Sequence, residues 1–390
     1  MSVIFFSMSG EGRGHATRAR TLVEYLKREH RIVLFAPSDA YAFLAPLYFQ
    51  DPAVEIREIP GVVFHYKEKK LDLTKTLMEG LLYFRKSLYT AVDHLAEQIE
   101  REKPDLCITD WEPSLPRAAL RCDTPFISLS HQHFLESYNL SSLPMSLRYH
   151  AWMMNWVVKT HYSGQVKTIV TGFFSPPLKP GYEDVCQIGP VIRPEICQAT
   201  ITEGDHYVSY LRKATSERVV HELEKTGLPI RIYGLGNRPA LGNLTFHPID
   251  PHRFVEDLSS CKAVFCAAGN QLLGECLYLG KPVLGMPEKS HYEQLINSHF
   301  LRQMGCGDFV LLEDVVAQDI SRFLTRIHEF RIQLQQTRHK LDGTPKMLEI
   351  VRDLLPQSTG PVATKPVSEP TTFSSWNNLS AADKVRLANK

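Results

Sequence analysis

The 390-residue sequence lacks the marks of several common protein classes. No apolar run approaches the ~18 residues that a membrane span needs. None of the eight cysteines stands in a Cys-x-x-Cys pair, and no zinc-type ligand spacing occurs. No Asp-x-Asp appears anywhere in the chain. Net charge is almost absent: 44 Lys plus Arg against 43 Asp plus Glu leave +1. Such a chain has no global field that would draw it onto nucleic acid. Met1–Gly10 lacks the positive start of a signal peptide and reads as a first strand. A dinucleotide fingerprint is missing too. Gly-x-Gly-x-x-Gly begun at Gly10 would need glycine where His15 stands, and Phe35-Ala36-Pro37 occupies the place of the expected acidic residue. A Rossmann oxidoreductase is therefore disfavoured.

What remains is ordinary globular composition, with 43% hydrophobic and 22% charged residues. At ~150 residues per domain the length suggests two or three domains. Several cysteines lie inside apolar runs and read as buried free thiols of a reducing compartment. The expectation is a cytoplasmic protein, soluble or peripheral at a membrane.

Short apolar runs alternate with amphipathic stretches. Strands are expected at Ser2–Phe6, Arg31–Phe35, Val54–Ile59, Asp105–Thr109 and Phe126–Leu129. Helices are expected at Ala16–Glu29 and, as one long element, Leu71–Glu102. A Pro-rich stretch, Ser175–Pro194, then reads as a linker. A second series follows: strands at His206–Leu211, Ile230–Gly234, Leu244–Pro248, Ala263–Cys266 and Val283–Met286. Helices lie between them at Ser216–Lys225, Pro251–Ser259 and Gln271–Leu279, and Tyr292–Met304 follows. Strand–helix alternation of this kind builds parallel sheets covered by helices. The expected fold class is α/β, with two Rossmann-like doubly wound units facing across a cleft. Their expected bounds are 1–178 and 201–355, joined by a linker over 179–200 and followed by a flexible tail over 356–390. Ser380 could start a short helix in that tail.

Two constellations carry chemistry. Gly10, Gly12 and Gly14 with Arg13 form a loop between the first strand and its helix, where backbone can approach a ligand closely. His15 follows at the mouth of this loop, the place where open α/β sheets bind ligands and where a histidine can act as a base near neutral pH. Asp110 stands at another strand end and could orient His15; the bland alternative is that it caps the segment at Trp111. His131 and His133 follow a further strand and could line the same cleft, with metal binding disfavoured for want of other ligands.

The second constellation runs from Ala263 to Gly307. Gly269 and Asn270 open a helix whose free N–H groups can hold a phosphate. Glu275 lies one to two turns further on. Gly280-Lys281-Pro282, Met286-Pro287, Glu293-Gln294 and Asn297 follow in order. Gln294 can offer a donor and an acceptor together to sugar hydroxyls.

This segment resembles the donor half of GT-B glycosyltransferases. Gly12-Arg13-Gly14-His15 resembles the first loop of the same superfamily, as in the peptidoglycan lipid-precursor N-acetylglucosaminyltransferase and the UDP-glycosyltransferase group. The resemblance covers about residues 1–350. It implies transfer of a sugar from a nucleoside-diphosphate sugar, UDP-linked, to an acceptor hydroxyl. Gly269 and Asn270 would then meet the diphosphate, Glu275 the ribose, and Glu293 and Gln294 the sugar. Gly234, Gly236, Phe246 and His247 would border the nucleotide, and Gly12, Arg13, Gly14 and His131 the acceptor side. His15 would be the base, assisted by Asp110. The site departs from the family pattern where Ala268-Gly269 replaces Gly-Gly and where Asn270 replaces a small or hydroxyl residue. The resemblance also implies inversion at the anomeric carbon and no metal or other cofactor.

The acceptor is less specified; a lipid-linked molecule or a glycan would both fit. Lys67, Lys69, Lys70, Lys75, Arg85 and Lys86 near the long helix, and Met145, Trp152, Met153, Met154 and Trp156 within Leu143–Val158, form mixtures of a kind that contacts lipid. Packing of these helices in the core, with a solvated basic face, is the preferred reading. Two other functions stay open: a nucleotide-sugar epimerase or hydrolase on the same fold, and a non-catalytic nucleotide-sugar binding protein.

Overall fold

The computed structural model describes residues 1–10, 13–61, 66–67, 70–71, 83, 87–161, 163–213, 215–338 and 341–356. Seven parallel strands form the first sheet: β1 (Val3–Met8), β2 (Arg31–Ala36), β3 (Val54–Glu58), β4 (Leu106–Asp110), β5 (Phe126–Leu129), β6 (Lys167–Thr171) and β7 (Cys186–Ile188). Their spatial order is β3-β2-β1-β4-β5-β6-β7. Alternation fixes both faces of β1. Ile4 and Phe6 pack with Ile32, Leu34, Leu106 and Ile108 on one side. Phe5 packs with Val33, Phe35 and Cys107 on the other. A strand buried on both faces reads as a continuous apolar run, which is why these strands were visible in the sequence.

The helices of this unit include α1 (Arg13–Leu26), α2 (Ser38–Tyr48), α3 (Leu88–Glu102), α4 (Ser114–Arg121) and α5 (Met145–His161). Of the long helix expected over Leu71–Glu102, Leu88–Glu102 is an α-helix and Tyr83 and Ser87 are also helical; at its start Lys70–Leu71 instead pairs with Tyr66–Lys67 as a small antiparallel hairpin. Most of 62–86, including Lys69, Lys75, Arg85 and Lys86, lies outside the described residues. The same holds for Gly12, the side chain of Arg13, and the tail from 357 with Ser380.

A second sheet holds six parallel strands: β8 (Tyr207–Tyr210), β9 (Ile230–Tyr233), β10 (Leu244–His247), β11 (Val264–Cys266), β12 (Val283–Gly285) and β13 (Gly307–Phe309), in the order β10-β9-β8-β11-β12-β13. Its helices include α6 (Glu217–Glu224), α7 (Pro251–Ser260), α8 (Asn270–Tyr278), α9 (Tyr292–Gln303), α10 (Ala317–Thr325) and α11 (Ile327–Thr337). The start of α7 shows why a local sequence makes a helix begin. Asp250 accepts a hydrogen bond from the Arg253 amide at 2.8 Å, and Pro251 takes the first helical position. Both sheets reverse their strand order once, beside β1 in the first and β8 in the second. Crevices at such reversals are where open α/β sheets take ligands.

Two findings modify the expected division of the chain. Within the stretch read as a linker, Cys186–Ile188 forms β7, paired with β6. The final helix α12 (Thr344–Leu354), read as part of the second unit, places Met347, Ile350 and Val351 in the core of the first. The chain thus passes between the units twice. The two passages touch: the Gly343 amide donates to Pro190 O at 2.9 Å, and a Cβ on Gly343 would lie 2.1 Å from Gly189 O. A side chain there would displace the opposite backbone. The units also share an apolar seam, in which Phe174 stacks on Phe300 at 4.1 Å between ring centroids.

Candidate functional site

At the first sheet reversal, β1 and β4 run side by side with Met8 opposite Asp110. The Ser9 amide donates to Asp110 O at 2.9 Å, closing the strand ends together. α1 then brings His15 and Arg18, three residues apart and so on one helix face, over the same point. His15 Nδ1 lies 2.9 Å from Asp110 Oδ1. Arg18 clamps the same carboxylate, Nε donating to Oδ2 at 2.7 Å and Nη2 to Oδ1 at 2.8 Å, and its Nη2 lies 3.1 Å from His15 Nδ1. Asp110 is fully buried. Burial alone would push its carboxyl up, but Arg18 first and His15 second hold it at about 2. A carboxylate in this setting remains charged and fixes the ring nitrogen it faces.

The bland reading of Asp110, a cap for the next segment, is taken by another residue. Glu112 accepts from the Ser114 amide at 2.7 Å and the Leu115 amide at 2.9 Å, and so starts α4. Between them Trp111 has φ +57°, a left-handed conformation that a bulky residue adopts only under constraint. The turn aims Asp110 at His15 while Glu112 caps the helix.

His131 faces the second unit. Nδ1 lies 3.1 Å from Thr171 O and Nε2 lies 3.1 Å from Asn297 Oδ1. Burial lowers its tendency to protonate. Asn297 also donates to Ala268 O at 3.0 Å, so one amide ties the His131 loop to the turn before α8. Next to it Gln132 donates to Glu293 at 3.3 Å. Burial pushes the Glu293 carboxyl up, and His131, His291, His15 and Arg18 together outweigh that and lower it. Glu293, from the second unit, therefore shares one electrostatic environment with His15 and Arg18 of the first. Gln294 is buried and accepts from the Glu288 amide at 3.0 Å, holding the loop before α9.

The second sheet reversal carries a different surface. Ala268 takes φ +59°, the conformation that glycine would adopt without strain, with its methyl fully buried. Gly269 follows with φ −69° as the N-cap of α8, and a Cβ there would meet nothing within 4 Å. So the tight turn is made by alanine, and glycine keeps open the space before the helix N-terminus. The Asn270 side chain turns toward the first unit, 3.4 Å from Thr171 O. Gly234 needs to be glycine: φ is +91° and a Cβ would lie 1.9 Å from Leu211 O. Gly236, also left-handed at φ +78°, borders open space. Phe246 is buried and stands 5.9 Å from the Arg238 guanidinium; burial lowers the tendency of His247 to protonate.

Glu275 is engaged in a way the sequence did not show. Arg193 donates to it through Nε at 2.8 Å and Nη2 at 2.7 Å, and Gln271 adds a third bond at 3.0 Å. The carboxylate is 2% exposed. An ionised carboxylate has about four acceptor positions, so one remains for another donor. Arg18 and Arg193 are the charged partners that sequence reasoning missed. Arg18 was findable from its i, i+3 spacing to His15; Arg193 had no local signal.

Among the described residues, no group of three or more His, Cys, Asp or Glu is placed to hold a metal ion. No described helix is long and apolar enough to cross a membrane.

The family model described as "Glycosyl transferase family 1" matches residues 2–328. A search of curated proteins returned no match. Similar solved structures include the glycosyltransferase of kitacinnamycin, 14% identical with a TM-score of 0.64, the match covering 90% of this chain and 99% of that one. The calicheamicin glycosyltransferase CalG4 is 16% identical with a TM-score of 0.63 over 92% and 100%. Arabidopsis thaliana UGT89C1, complexed with UDP-L-rhamnose, is 11% identical with a TM-score of 0.63 over 91% and 100%. At these identities the likeness is one of fold, a two-unit α/β arrangement of the GT-B type.

Proposed function

The chain belongs to glycosyl transferase family 1, and from that premise we propose that it is a UDP-sugar-dependent, inverting, metal-independent glycosyltransferase with His15 as its base. The observation that carries this reading is the His15–Asp110–Arg18 cluster at the first sheet reversal, electrostatically coupled to Glu293 of the second unit. Asp110 holds Nδ1 of His15, leaving Nε2 to take a proton from an acceptor hydroxyl. Arg18 is a positioning residue. It keeps Asp110 ionised and in place, so that the carboxylate orients the ring.

The donor side is assigned to the second reversal. As the glycosidic bond breaks, negative charge gathers on the leaving diphosphate. The N-terminus of α8 and the open space at Gly269 suit that charge, with neutral donors in place of a cation. Glu275 takes a ribose hydroxyl at its remaining acceptor position while Arg193 holds the carboxylate in place. Glu293 and Gln294 meet the sugar. Gly234, Gly236, Phe246 and His247 border the nucleotide, and the loop of Gly12, Arg13 and Gly14 with His131 borders the acceptor. Attack by the acceptor oxygen opposite the leaving group inverts the anomeric centre. An acceptor on a lipid or a glycan fits this chemistry equally, and a cytoplasmic location accords with the eight free thiols.

The test is His15→Ala, with turnover and nucleotide binding measured on the same preparation. Turnover should fall about 10²- to 10⁴-fold, while thermal stabilisation by UDP stays that of wild type. Retained turnover would remove His15 as base, retained configuration in the product would remove inversion, and loss of turnover in EDTA would remove metal independence.

A further inference from the structure

α5 has two apolar faces. Leu147, Ala151 and Val158 point into the core. Met145, Tyr149, Trp152, Met153 and Trp156 do not: they are 74, 61, 59, 41 and 67% exposed. At 100° per residue these five fall within roughly a third of a turn, a stripe about 16 Å long. The preferred reading, a core-packed helix with a solvated basic face, accounts for Leu147, Ala151 and Val158 but not for this exposed apolar stripe. Tyr149 and Trp152 stack on one another at 5.8 Å, so the outward face is ordered by its own contacts.

The charge of the segment that carries the stripe is one-sided. From Ser137 to Tyr182 the sequence holds no Asp or Glu, although the chain averages 43 in 390 residues. Arg148 and Lys159 flank the stripe along one edge, and both are exposed. Tyr and Trp beside Lys and Arg are the residues that favour the boundary between headgroups and acyl chains. A second copy of the chain is a poorer occupant, because it would oppose cation to cation with no carboxylate on the helix to pair them. The stripe also lies beside the cleft. His150 of the same helix stacks on Tyr292, the residue before Glu293.

From these observations we infer that α5 docks the protein on an anionic bilayer, with Trp152 and Trp156 entering the headgroup boundary and Arg148 and Lys159 facing acidic lipids. Docking in this way sets the mouth of the cleft at the membrane surface. The inference goes beyond the transfer reaction and stands apart from it.

The full chain is sedimented with phosphatidylcholine vesicles and with the same vesicles containing phosphatidylglycerol. Binding to the anionic vesicles is expected, weakening with added salt. The double variant Trp152→Ser/Trp156→Ser should bind at least about tenfold more weakly, with an unchanged melting curve because both side chains are exposed. Arg148→Glu/Lys159→Glu should lose the preference for anionic vesicles. Brominated lipid should quench the fluorescence of wild type more than that of the tryptophan variant. Three results would overturn the inference: wild type that stays in the supernatant, a tryptophan variant that binds as wild type does, or a wild-type dimer that the same variant converts to monomer without any vesicle binding.

Discussion

The two sheet reversals occupy the same place in the same kind of fold and are furnished in opposite ways. At β1/β4 the chain gathers titratable and charged side chains from one unit: His15 and Arg18 on α1, and Asp110 at the end of β4. At β8/β11 it presents a strained alanine, an open glycine and a helix N-terminus, and its carboxylate is held by Arg193 from the passage between units. The first arrangement suits moving a proton; the second suits holding an anion. The fold supplies the crevice twice, and the side chains decide what each crevice does.

Removing the counterion from the second reversal should have the largest effect. Arg193→Met leaves Glu275 buried with only Gln271 beside it, and should lower unfolding free energy by about 3–5 kcal/mol. Adding Glu275→Gln in the same chain should restore part of that. Denaturant titration of the two variants checks it; equal stability of both with wild type would mean that the pair stabilises nothing.

The first reversal should betray itself in acid. Asp110 titrates lower in the folded chain than in the unfolded one, so its contribution is present above pH ~4. It is lost as pH falls from there toward about 2. The difference is of order 2 kcal/mol. Asp110→Asn should therefore show a flatter loss of stability than wild type across that interval. Parallel curves would break the assignment of a strongly paired carboxylate.

The smallest structural change sharpens the comparison most. Gly269→Ala has an allowed φ and meets no neighbour, so the melting temperature without ligand should stay put. If the diphosphate lies there, the methyl occupies its space and UDP should bind about tenfold more weakly. Unchanged UDP affinity would move the anion elsewhere.

Much of this was legible in the sequence, for physical reasons that differ by element. β1, β2 and β4 are buried on both faces and show as apolar runs. The place of His15 followed from the strand, glycines and helix around it. α2 escaped notice, and Pro46 lies inside it. β7 was hidden because three residues amid prolines carry no period. Arg193 and Glu275 stand 82 positions apart, and nothing local encodes such a pair. On α5 two faces are apolar, and only packing decides which one turns inward.

The contact of Gly343 with Gly189 and Pro190 has a mechanical meaning. Two bodies joined by a single strand can swing and twist. Two strands pressed side by side leave the swing and resist the twist. The contact therefore resists rotation of one unit against the other about the line of the two passages.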